Sequence, residues 1–199
     1  MQFKEFITQN TDSGISPELQ KLIDIAVQNG NKMAASKQFK YQLYMPRDAK
    51  MPFTEDMKPN AQLWTSTAIR RDKNVYTSEW VEWCDNNAPG WMSPKGSLYE
   101  IQSGAKILNI GSDDAARKIA KVFGQDFKGM GQYAILGKYP WEELGKYFDA
   151  VRYPAKLSGK YSSRLNNILM SLWDVESTAW YNTSKLRLVS EVNIKARGW

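Results

Sequence analysis

Seven short runs of apolar, aromatic and β-branched residues are spread over this chain, and each is of strand length. They are Phe39 to Tyr44, Leu63 to Ala68, Leu98 to Ile101, Lys106 to Ile110, Ala150 to Tyr153, Thr178 to Tyr181 and Leu186 to Val189. Segments this short, bounded by turn residues, are stable only when paired, so the chain has to build a sheet of six or seven strands. In the first run Phe39, Tyr41 and Leu43 alternate with Lys40 and Gln42, which predicts a half-buried strand with Gln42 on its polar side.

Helical signals lie before and between these runs. Ser16-Pro17-Glu18 is a helix start: a capping hydroxyl, a proline suited to the first turn and an acid favoured by the dipole. Leu19, Leu22, Ile23, Ala26 and Val27 then share a face, and Gly30 is the expected stop. Thr77 or Ser78 caps a short helix through Cys84. Ser112-Asp113-Asp114 opens another with Ala116, Ile119, Ala120 and Phe123 buried and Gly124 ending it. Trp141 to Phe148 and Arg164 to Leu172 are further helices. Arg70 to Asn74 reads as a charged turn, and Ala49 to Gln62 as a surface loop. Together these define an α+β chain. Its 199 residues, 42% hydrophobic, suit a single domain. Within it, 1–38 forms an N-terminal helical cap and 39–199 a candidate catalytic core.

The chain has no histidine and one cysteine, Cys84. Ser-His-Asp and Cys-His catalysis, His-ligated zinc and an internal disulfide are therefore ruled out. Any enzyme chemistry rests on carboxylates, Arg, Lys, Tyr, Ser or Thr, or on a cofactor, and no metal site is expected. No run reaches the length of a membrane span, and Met1 to Asn10 lacks the pattern of a signal peptide, so no membrane partner and a cytoplasmic location are expected. The net charge of +6 favours anionic partners.

One acid stands out. Glu176 opens the apolar run Thr178-Ala179-Trp180-Tyr181, and a carboxylate held where a strand begins has the rigid support that catalysis needs. Glu79 and Glu82, three apart on one helical face, read as a solvated pair. Cys84 reads as a small buried hydrophobe.

Three pieces in order then resemble the ADP-ribosyltransferases of the arginine, serine-threonine-serine, glutamate type: Tyr44 to Arg47 after an early strand, the hydroxyl-rich Trp64-Thr65-Ser66-Thr67 before a helix, and Glu176 entering a late strand. The ending, "DAVRY" then the Glu strand then "NTSKLRLV", is similar to the closing strands of bacterial and phage members. The resemblance covers roughly Lys40 to Val192. It implies a mixed, mainly antiparallel β core in two packed sheets with flanking helices. It also implies an enzyme that transfers ADP-ribose from NAD to a macromolecular target, a host protein being the expected acceptor.

On that resemblance Arg47 grips the NAD diphosphate, with Arg70 or Arg71 as alternatives. Thr65, Ser66 and Thr67 match the hydroxyl strand that supports the nicotinamide pocket, with Tyr44 and Trp64 as further cofactor-binding residues. Glu176 is the catalytic carboxylate that bonds the nicotinamide ribose and stabilises an oxocarbenium-like centre. Asp174 stands where many arginine-modifying members carry a second Glu or Gln. The competing reading is a non-catalytic phage-type or virion protein that docks on nucleic acid or a host protein. Its basic, aromatic surface would run from Lys138 to Arg164.

Overall fold

A computed structural model describes residues 15–46, 61–127, 130, 138–154 and 175–196. Arg47, Asp174 and the helix expected over Arg164 to Leu172 lie outside the described residues. The elements are helix α1 (Pro17–Ala35), strands β1 (Tyr41–Tyr44), β2 (Leu63–Thr67), β3 (Ile69–Asp72) and β4 (Val75–Thr77), helix α2 (Glu79–Asn87), strands β5 (Lys95–Ile101) and β6 (Ile107–Asn109), helices α3 (Asp113–Val122) and α4 (Trp141–Tyr147), and strands β7 (Ala150–Tyr153), β8 (Ser177–Trp180) and β9 (Leu186–Ile194).

All nine strands form one mixed sheet in the order β3-β4-β9-β5-β1-β2-β8-β7-β6. The β4–β9 and β6–β7 pairs are parallel and the other pairs antiparallel. The two strands beyond those expected are β3 and β4; β3 takes up most of the stretch Arg70 to Asn74 read as a charged turn, and β4 follows it. Asn74, in the left-handed region at φ 58°, closes the hairpin between them. β2 divides its length: Leu63, Trp64 and Thr65 pair with β8, whereas Ser66 and Thr67 pair with β1.

Neighbouring residues on β6, β7 and β8 serve different clusters. Leu108, Val151 and Ala179 pack with Leu19 and Ala26 of α1, Ile119 and Ala120 of α3, and Leu144 of α4. Ile107, Ala150 and Trp180 pack instead with Met33, Ile101 and Ala105. Both faces of these strands are therefore covered, and all four residues of β7 are buried, Arg152 included. A third cluster joins Leu43, Leu98 and Val192 to Val81 and Cys84 of α2. Each fully buried aliphatic or aromatic side chain contributes about 1.5–3 kcal/mol.

Local signals set the helix starts. Ser16, Ser78 and Ser112 each cap a helix through the side-chain oxygen. Gly124, at φ 73°, lies just beyond α3 as expected. Gly30 does not stop α1, which runs on to Ala35. A Cβ at Gly30 would lie 1.9 Å from the Ala105 carbonyl oxygen, so its glycine is explained by close backbone approach. Gly30→Ala is accordingly expected to destabilise the protein by about 1–3 kcal/mol, although alanine is the better helix former by up to ~1 kcal/mol. A urea midpoint that rises would show that the contact relaxes at no cost.

The alternation expected of β1 is also corrected. Gln42 is fully buried while Tyr41 is 36% exposed, because the face that Gln42 points to is covered by a hydrogen-bonded chain through Thr65 to Trp180.

Candidate functional site

The register that sets Thr65 opposite Thr178 brings Thr67 level with Glu176, just ahead of β8. Thr67 donates its backbone N–H to Glu176 Oε2 at 2.7 Å and its hydroxyl to Oε1 at 2.9 Å. Arg152, on neighbouring β7, donates Nε–H to Oε1 at 3.0 Å. Glu176 is 2% exposed and Arg152 6%, so this is a buried ion pair carrying two further hydrogen bonds. The Arg152 guanidinium lies over the Phe39 ring, 5.2 Å from its centroid.

Glu176 is also held by its backbone. Its N–H donates to Glu79 Oε2 at 3.0 Å, from the first residue of α2. Glu82 accepts from the Thr77 hydroxyl at 2.6 Å. The pair read as solvated is thus engaged at both positions. Glu79→Ala is expected to leave the N–H of Glu176 without an acceptor, costing about 1–3 kcal/mol. Glu79→Gln keeps an acceptor and is expected to lose less than half as much in urea titrations. Equal losses would show that the bond is unimportant.

Around the pair runs a polar row. Asn109, Arg152, Thr178 and Thr65 are successive cross-strand neighbours on β6, β7, β8 and β2. Thr65 accepts from Trp180 Nε1 and donates to Gln42 Oε1, both at 2.9 Å, and Gln42 Nε2 donates to the Phe39 carbonyl. Thr178 Oγ1 and Asn109 Oδ1 flank Arg152 and have no hydrogen-bond partner among the described residues. By contrast Asp149, also buried, is consumed structurally, since its carboxylate accepts from the Lys106 N–H and the Asn182 amide.

Burial pushes the Glu176 carboxyl above its ordinary value of 4.5. The Arg152 charge and the Thr67 and Arg152 hydrogen bonds pull it part of the way back. The net direction is upward.

The expected site residues separate by side-chain alternation. Thr65 and Thr67 face the Glu176 side. Trp64 and Ser66 point to the opposite face, where Trp64 packs against the helical core and Ser66 is 2% exposed. Tyr44 lies on the Gln42 face of β1, half-buried. β1 runs antiparallel to β2 with Gln42 opposite Thr67, so its C-terminal end heads away from Glu176. The arginine that meets Glu176 is Arg152, which sequence reasoning passed over. Its signal was one charged residue inside the apolar run Ala150-Val151-Arg152-Tyr153. In the stretch from Lys138, the aromatic residues Tyr139, Trp141 and Tyr153 are buried, and Lys146 pairs with Glu143.

Among the described residues no group of three or more His, Cys, Asp or Glu is placed to hold a metal ion. None of the described helices is long and apolar enough to cross a membrane. No protein-family model, curated protein or solved structure matches the chain.

Proposed function

We propose that this chain is an NAD-dependent mono-ADP-ribosyltransferase with Glu176 as its catalytic carboxylate. The observation that carries the reading is the double grip of Thr67 on Glu176. A hydroxyl-strand residue 109 positions away supplies both an N–H and an O–H to the one acid that opens a late strand. The divided pairing of β2 is read as the seam between two packed sheets.

The chemistry needs no histidine and no metal. The bond from C1′ of the nicotinamide ribose to the ring nitrogen breaks, and its electron pair leaves with neutral nicotinamide. The positive charge that develops at the ribose is stabilised by the fixed Glu176 carboxylate in a site of low dielectric. A nucleophilic side chain of the target then bonds C1′ and releases its proton to water. Of the contacts on Glu176, the Thr67 hydroxyl is the one a ribose 2′-hydroxyl replaces at least cost, because it is neutral and rotates. Arg47 on the diphosphate and Asp174 beside the acceptor complete the reading, and a protein is the expected acceptor.

Labelled NAD incubated with the chain and a cell lysate tests it. Label on macromolecules and released nicotinamide are expected. Neither appearing would overturn the proposal.

A further inference from the structure

The segment between Thr67 and Glu79 leaves Glu176 and returns to it. Thr67 holds the side chain and Glu79 the backbone N–H, and what lies between is the β3–β4 hairpin at one edge of the nine-stranded sheet. Arg70, Arg71, Lys73 and Asn74 on this hairpin are all exposed. Asp72 is its one carboxylate, and it accepts from the adjacent Lys73 N–H at 2.7 Å. No ion pair involves Arg70, Arg71 or Lys73 among the described residues. Three cations against one anion give the hairpin a charge of +2, from residues 70–73.

We infer that this hairpin is a docking arm for the phosphate backbone of a nucleic acid. Arg70, whose Nε–H also donates to the Asp72 carbonyl at 3.3 Å, and Arg71, beside the register shift between Arg70 and Asp72, present guanidiniums next to the Lys73 ammonium, and these suit phosphate oxygens because the terminal nitrogens of the planar fork donate to two of them at once. The hairpin's aromatic residue, Tyr76, is half-buried against the α2 cluster, so the contact is to backbone charge and is indifferent to sequence. Charged side chains also keep an edge strand from pairing with another sheet. That duty needs only charge of either sign, whereas three of the five exposed side chains at 70–74 are cationic and one is anionic. The docking does not depend on the NAD reading; the delivery of a bound strand to Glu176 rests on it.

Fluorescence anisotropy of a labelled single-stranded DNA 20-mer, read across a salt series with the full chain, tests the arm. Three phosphate contacts predict that R70A/R71A/K73A lowers the slope of log K against log salt by about 2, and R71A alone by about 0.7. The charge-matched K21A/K32A/K37A, altering exposed lysines on and just after α1, is expected to keep the wild-type slope. Equal losses in both triple variants would overturn the proposal in favour of net charge alone. So would a wild type that binds vesicles of phosphatidylserine and phosphatidylcholine but not DNA, or one that binds neither. The assay contains no NAD, so a failure of the transferase reading leaves its outcome intact.

Discussion

Glu176→Gln is expected to cut NAD turnover by about 10²- to 10³-fold or more, the scale of losing one preorganised charge-stabilising group, and to flatten the pH dependence of stability above pH 4.5, on top of the cost of leaving the buried Arg152 guanidinium without its counter-charge. The second half follows from linkage. Below pH 4.5 the carboxyl is protonated whether the chain is folded or not. As pH rises past that value the unfolded chain releases the proton first, because burial holds it on the folded one. Stability contributed by this group is therefore complete below 4.5 and is lost as pH rises through the higher folded value. The amide cannot titrate and is spared that loss, and its oxygen still accepts from Arg152. Nicotinamide release and urea titrations over a pH series check both halves. Undiminished turnover would remove Glu176 from the mechanism, and parallel pH profiles would refute the burial account.

Arg152→Met is expected to cost about 3–5 kcal/mol at neutral pH, because it strands the Glu176 carboxylate in the interior without its counter-charge. For a chain of this size that is a fall in Tm of about 6–20 °C. The deficit should shrink on acidification, since removing Arg152 also removes the largest influence that lowers the Glu176 pKa and so favours the neutral acid. Adding Glu176→Gln to the same chain should recover most of the loss in a double-mutant cycle. A deficit independent of pH, or one that the second substitution deepens, would show that Arg152 matters for packing instead.

What could be read from the sequence was what neighbouring residues decide among themselves. Ser16-Pro17-Glu18 fixes a helix start because the cap, the proline and the acid act within one turn. Ser112 with Gly124 brackets α3 for the same reason. Gly30 was misread because its cause lies 75 residues away, at the Ala105 carbonyl. Gln42 was misread because alternation assumes one wet face, and β1 has none where Thr65 and Trp180 cover it. The β3–β4 hairpin escaped notice because residues 70–74 are all exposed and its buried side is confined to Tyr76 and Thr77, too few to set a pattern.

The candidate site divides along the same line. Glu176 and Thr67 were both named from local pattern, one as an acid at a strand start and the other from a run of hydroxyls, and their meeting is tertiary. Arg152 and Glu79 could have been sought. A lone charge in a four-residue apolar strand implies a buried partner, and an acid at the first position of a helix has a carboxylate free to reach beyond its own turn. Naming the partner took the sheet order, in which β7 lies beside β8.

That order also bears on how the protein is made. Strands β8 and β9 are synthesised last among the nine, yet each is laid between two others, β8 between β2 and β7 and β9 between β4 and β5. Until they emerge from the ribosome the sheet order allows only three separate sets of pairings: β3 with β4, β5 with β1 and β2, and β7 with β6. Each piece carries an unpaired edge. The nascent chain therefore waits for its final strands with four open edges exposed, a state that holdase chaperones recognise and that aggregation competes for.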